Sequence, residues 1–193
     1  MLIVSSDVEE VETDLVAGNI ACPGCGGSLA RWGHARFRNV RAESEPWPLR
    51  PRRACCRACG KTHVLLPDVV LLRRVDAVGV IGSALVMAAE GTGHRRIAGV
   101  VGRPVETVRG WLRRARLSAE RIRAHFTVWA RALDPLLAPL APGGSGLADA
   151  LEAMAVAARA AQLRLGLRPV WSLVSAMTAG GLLSNTNTPW PKP

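Results

Sequence analysis

Val8, Val11 and Leu15 stand three and four residues apart among Asp7, Glu9, Glu10, Glu12 and Asp14, the spacing of one face of a short helix ending near Gly18 and Asn19. From residue 22 to 66 the pattern changes to Gly and Pro clusters with short alternating runs, of which 35–41 is the clearest, and these predict the strands of a small sheet. Pro67 closes that section. From Val69 onward the spacing turns helical, through Val75, Val78, Ile81, Leu85 and Met87, until Gly91 and Gly93 interrupt it. Further helices are predicted over 94–101, 105–116 and 118–133, the first two separated by Gly102-Arg103-Pro104. Prolines and glycines between 135 and 146 read as a linker, followed by an Ala-rich helix over 148–165 and a last one over 169–179.

Two copies of C-x2-C-G, Cys22 to Gly26 and Cys56 to Gly60, punctuate the strand-forming section. Two intervening residues let both thiolates of a pair reach one ion, and the glycine after each second cysteine permits a left-handed backbone. Cys22, Cys25, Cys56 and Cys59 are therefore the expected ligands of a structural Zn2+ in a zinc ribbon. Thirty residues separate Cys25 from Cys56, more than the usual gap of about 15–20, and an intervening hairpin would fill them. A rubredoxin-like iron site or a redox dithiol are the alternative chemistries for such pairs. Cys55 reads as spare, although a Cys55-x3-Cys59 pairing is conceivable, and His34 and His63 read as strand histidines.

Residues 94–113, HRRIAGVVGRPVETVRGWLR, carry the register of a helix-turn-helix. Ala98 is the small residue that lets two helices approach, Gly102 makes the turn, and Ile97, Val101, Val108 and Trp111 pack the pair. Pro104 suits the first turn of the second helix. With Val108, Trp111, Leu112 and Ala115 inward, Glu106, Thr107, Gly110, Arg113 and Arg114 face outward, with Arg109 at the margin. Arg can bridge guanine O6 and N7, and Arg95, Arg96 and Arg116 are placed for phosphates. Arg103 joins the expected DNA contacts, although an apolar or N-capping residue is more usual there. The plainer alternative is a helical hairpin with a solvated Arg face.

The expected fold is thus α+β, mainly α. An acidic leader helix (1–21) precedes a zinc ribbon (22–67) and a helix-turn-helix helical domain (68–133). A Pro/Gly linker (134–147), C-terminal helices (148–183) and an irregular tail (184–193) follow.

Charge sharpens this picture. The net charge is +10, and residues 22–125 hold 20 basic side chains against 7 acidic ones, a local +13, while residues 1–21 hold five acids and no base. A localised positive field suits double-stranded DNA. In the ribbon, Arg36, Arg38, Arg41, Arg50, Arg52 and Arg53 are expected to meet phosphates, although Arg52, Arg53, Arg57 and Lys61 also lie near enough in sequence to offset the thiolates. The acidic start is unlike a secretory leader, and the longest uncharged apolar run, thirteen residues over 77–89, falls short of the roughly 20 that span a membrane. A cytoplasmic, nucleoid-associated protein with no membrane contact is expected. The Ala-rich helix is available to form a homodimer, which would read paired half-sites.

The segments CPGCGG, RPRRACCRACGKTHVLLP, GHRRIAGVVGRP and TVRGWLRR together resemble short bacterial zinc-ribbon helix-turn-helix proteins of uncharacterised function. That family is in turn similar to the amino-terminal DNA-binding part of insertion-sequence transposases. The resemblance covers roughly residues 15–133, and Cys55 departs from it. It implies a transposase-like DNA reader or transcriptional regulator. Strand transfer needs a carboxylate triad holding two metal ions, and after residue 125 only Asp134, Asp149 and Glu152 remain. No catalytic residue is expected, and the chain reads as a non-enzyme lacking a nuclease. A module that docks onto a transposase or another partner is the alternative.

Overall fold

The computed structural model describes residues 1–184 and 189–193. Six strands precede six of the seven helices among these residues: β1 (Leu2–Val4), α1 (Val8–Ala17), β2 (Leu29–His34), β3 (Arg38–Arg41), β4 (Pro46–Leu49), β5 (Arg52–Cys56) and β6 (Thr62–Pro67), then α2 (Val78–Ala89), α3 (His94–Val101), α4 (Val105–Leu117), α5 (Ala119–Leu133), α6 (Gly146–Leu165) and α7 (Val170–Met177). The fold is α+β, with a small N-terminal sheet that carries the cysteines.

Asp7 caps α1 by accepting from the backbone N–H of Glu9 and Glu10, a contribution of about 1 kcal/mol, and Gly18 ends it in the left-handed region. Val11 and Leu15 are buried against Leu29, Ala54 and Leu65, while Val8 points to solvent. The four-stranded sheet runs β1-β6-β5-β2, with β1 parallel to β6 and the other pairs antiparallel. The alternating run over 35–41 forms a strand only at Arg38–Arg41, which pairs with β4 as a separate hairpin.

The helix expected from Val69 begins only at Val78. Tertiary contacts take the preceding apolar residues instead: Val70 bridges Ala77 and is buried with Val40 and Leu66, and Arg73 adopts a φ of 58° that no helix accommodates. Asp76 is buried and engaged by arginines described below. The later helices lie within two residues of their predicted bounds.

α2 to α7 share one core, with Ile81, Leu85, Ile97, Leu112, Ile122, Phe126, Met154 and Leu182 fully covered. The C-terminal helices therefore do not stand apart, and segment 134–147 links two elements of one core, with Leu137 and Leu140 packed on it. Alanines 150, 153, 157, 158 and 161 are buried on α6, and such small side chains let two helix backbones approach closely. Gly82 serves α2 in the same way, because a Cβ there would collide with the Trp171 indole of α7. Of the tail expected to be irregular, 185–188 lie outside the described residues; Trp190 packs on the helical core beneath Arg121, whose guanidinium carbon is 4.0 Å from the ring centroid.

Candidate metal centre and basic helix face

Each cysteine pair sits on a tight turn of the same design. Gly26 N–H donates to the Cys22 carbonyl (2.9 Å) and Gly60 N–H to that of Cys56 (3.0 Å), with φ of 73° and 70° at the two glycines. Cys22 N–H in turn reaches the Gly27 carbonyl, and Cys56 N–H that of Lys61. Gly27 has a packing reason as well, since a Cβ would lie 2.7 Å from that of Ala58. β2 and β5 pair Leu29 with Cys56 and so bring the turns together. The four sulfurs lie within 4.8 Å of one another, with Cys22 to Cys59 at 3.8 Å and Cys25 to Cys56 at 3.5 Å. This cluster could hold a metal ion.

Electrostatics make a cation welcome there. The backbone N–H of Cys59 draws the Cys56 thiol down to about 6. The Gly27 backbone favours a Cys25 thiolate too, but the Cys59 and Cys56 sulfurs outweigh it and push Cys25 up to about 12. Crowded sulfurs cannot all ionise without a compensating charge, which a metal supplies. Cys55 lies outside the cluster, its Sγ directed at the Gly60 carbonyl. His63 Nε2 is 3.4 Å from Cys22 Sγ, a neighbour to one of the clustered sulfurs. Arg52 does not serve the cluster: it pairs with Glu12 of α1 and approaches His34.

The second candidate surface is α4. Ile97, Ala98, Val108, Trp111, Leu112 and Ala115 are buried, and Gly102 makes the turn with a φ of 63° while Arg103 N–H reaches the Ala98 carbonyl. Glu106, Arg109, Gly110, Arg113, Arg114 and Arg116 line an open cleft of about 630 Å³ together with His94. Arg113 and Arg116 are exposed, as are Arg95 and Arg96 on α3, and Thr107 is half-buried. Arg109 forms an ion pair with Glu106, and Arg114 donates to the Gly110 carbonyl. A Cβ on Gly110 would meet the tip of Arg114, which covers the half-buried backbone here.

Arg103 is a correction to the sequence reading. Its Nε lies 2.6 Å from Asp76 Oδ1, one Nη reaches the carbonyls of Val101 and Gly102, and the other reaches those of Arg41 and Ala42. The guanidinium is spent inside the protein and fixes the α3–α4 turn to the β3–β4 hairpin. Arg41 joins it through a bond from Nη2 to Asp76 Oδ2 at 2.9 Å, which takes much of its capacity from phosphate. Arg52 is likewise committed to Glu12, and Arg53 donates to Thr62 Oγ1. Arg36 and Arg50 are exposed. Arg38 is half-buried, desolvation lowers its pKa, and its Nε and one Nη have no partner.

Asp76 is the site residue the sequence did not announce, because a lone acid in an apolar stretch resembles any solvated charge. Among the late carboxylates, Asp134 Oδ1 accepts from Leu136 N–H, Asp149 Oδ1 from Gly143 N–H, and Glu152 is exposed on α6. No helix among the described residues is long and apolar enough to cross a membrane. Searches of protein-family models, curated proteins and solved structures find no match to this chain.

Proposed function

We propose that this protein is a zinc-stabilised, sequence-specific reader of double-stranded DNA, in which a zinc ribbon supports a helix-turn-helix. The observation that carries the reading is the face of α4. Arg113 and Arg116 stand open along a helix whose opposite side is sealed by Val108, Trp111 and Leu112. A helix of this kind can enter a major groove, with Arg113 toward base edges and Arg95, Arg96 and Arg116 toward phosphates.

Zinc fits the donor set. A tetrahedron with metal–sulfur bonds of about 2.3 Å places its sulfurs about 3.8 Å apart, close to the separations of 3.8 and 3.5 Å found here. Four thiolates leave no open position for water, so the ion would hold the two cysteine turns together and supply no hydrolytic chemistry. The relation to transposase DNA-binding regions is part of this proposal, with the protein acting as a regulator or DNA reader without a nuclease, on the nucleoid and on half-sites if it pairs with itself.

A mobility shift with genomic duplex fragments tests the reading. Complexes should weaken steeply between 50 and 200 mM salt, by roughly a thousandfold for about six phosphate contacts. Absent or salt-insensitive complexes would overturn it. A protein-docking role has its own support in the apolar groove of Val86, Ala89, Leu151, Ala155 and Val170 between α2, α6 and α7, and pull-down of a partner independent of nucleic acid would favour it.

A further inference from the structure

β2 is an edge strand, and its ladder with β5 is irregular. Arg31 faces Ala54 and His34 faces Arg52, so Trp32 and Gly33 together stand opposite the single residue Arg53. Gly33 takes a φ of 87° to allow this bulge. A two-for-one bulge at a sheet edge bends the strand and re-aims a side chain. Arg31 turns to α1, where its Nε meets Glu12 at 2.7 Å, and strand alternation sends Trp32 to the other side. Trp32 is left 60% exposed, and Phe37, in the link to β3, is also 60% exposed.

These two rings stand in a strongly basic setting. Residues 22–42 and 46–67 contain no Asp or Glu. Glu12 reaches the sheet from α1 but is engaged with Arg31 and Arg52. Arg36 and Arg50 are exposed and take part in no ion pair among the described residues. An apolar protein surface would cover the rings and leave those donors unmatched. A nucleic-acid strand matches both, because every base offers a π-face and every phosphate accepts from guanidinium. In an intact duplex the base faces are hidden within the stack.

We infer that the β2 edge, through Trp32 and Phe37, stacks on DNA bases that are unpaired or opened, while Arg36 and Arg50 hold the adjoining phosphates. This inference rests on the proposed nucleic-acid binding but uses a different surface from α4. It assigns two surfaces of the molecule different parts of one target: a paired segment for α4 and a melted or bent one for the sheet edge.

The test compares the zinc-loaded full chain on a labelled 30-base-pair duplex, the same duplex with a central unpaired bubble, and one of its single strands. The wild type should prefer the bubble to the paired duplex by about tenfold, the scale of one base–aromatic stack. Trp32→Ala with Phe37→Ala should abolish the preference yet leave duplex affinity and its salt dependence unchanged, and Trp32→Phe should retain most of it. As an independent readout, 2-aminopurine within the bubble should change fluorescence when the wild type binds. Equal affinity for bubble and duplex, a preference that survives the double substitution, or a silent 2-aminopurine signal each overturns the inference. Duplex binding without bubble preference would sink this inference alone, bubble binding without duplex binding would sink the role of α4 alone, and no complex with any of the three DNAs would sink both.

Discussion

Arg103 Nε and Asp76 Oδ1 lie 2.6 Å apart across the seam between the helices and the β3–β4 hairpin, with the carboxylate 3% and the guanidinium 11% exposed. The same carboxylate takes Arg41 on its other oxygen at 2.9 Å. One acid thus satisfies two arginines, one from the hairpin and one from the α3–α4 turn, and ties the start of α4 to the hairpin.

Asp76→Ala should destabilise the fold by about 3 kcal/mol, because it leaves the buried Arg103 guanidinium without its counter-charge, while the part-exposed Arg41 is open to water. Arg103→Lys keeps the charge but loses the fork that reaches the Arg41 and Ala42 carbonyls, so it should lie between wild type and Asp76→Ala. Urea unfolding midpoints measure the order, and an Asp76→Ala variant as stable as wild type would refute it.

Cys22→Ser or Cys59→Ser should release the metal and melt the cysteine-bearing sheet, since a structural ion contributes its binding energy to folding. Cys55→Ser should keep a full equivalent of metal, because that sulfur lies outside the cluster. Elemental analysis decides both points and names the ion. Wild-type protein with no zinc would end that assignment.

Gly82→Ala should cost about 1–3 kcal/mol through overpacking against the Trp171 indole. Adding Trp171→Leu should recover part of that loss, since the two positions share one contact. Thermal unfolding of the two single variants and the double variant closes the cycle. Strict additivity would show that the collision is relieved elsewhere.

His125 lies among Phe126, Trp129 and Trp190, and its Nε2–H donates to the Met177 carbonyl at 2.9 Å. Burial holds its pKa below 6.5; the Met177 carbonyl opposes the shift and the Arg121 charge adds to it. Between that depressed value and 6.5 the unfolded chain binds more protons than the native one, so stability is lost as pH falls through this window. The drop in melting temperature from pH 7 to 5 should shrink in His125→Gln. Parallel profiles for the two proteins would contradict the assignment.

Arg113→Ala should relax sequence preference at one base pair and cost roughly 1–3 kcal/mol there, while Arg96→Ala should weaken binding to all sequences and reduce the salt slope by about one. Competition binding against a randomised duplex library separates the outcomes. Equal loss on every sequence for Arg113→Ala would remove it from base recognition.

The helices around the α3–α4 turn were legible because periodic apolar residues, Gly102 and Pro104 all point to the same local structure, and each C-x2-C-G fixes its own turn. Long-range pairing was not. β1 is three residues long, too short for any period to show, and it is a strand because β6 lies beside it. Val69 to Leu72 look like the start of a helix but are drawn into contacts with β3, β6 and α7. Arg103 misled for a related reason: in sequence it is one more arginine near a turn, and only the fold brings Asp76 to it.

The two cysteine turns each contribute one buried cysteine, Cys22 or Cys56, and one exposed, Cys25 or Cys59. An oxidant or chelator coming from solution would therefore meet the second member of each pair first. Attack should begin at those outer thiols while the inner two are still shielded, so demetallation would proceed in stages and a half-dismantled centre could be reloaded before the strands separate.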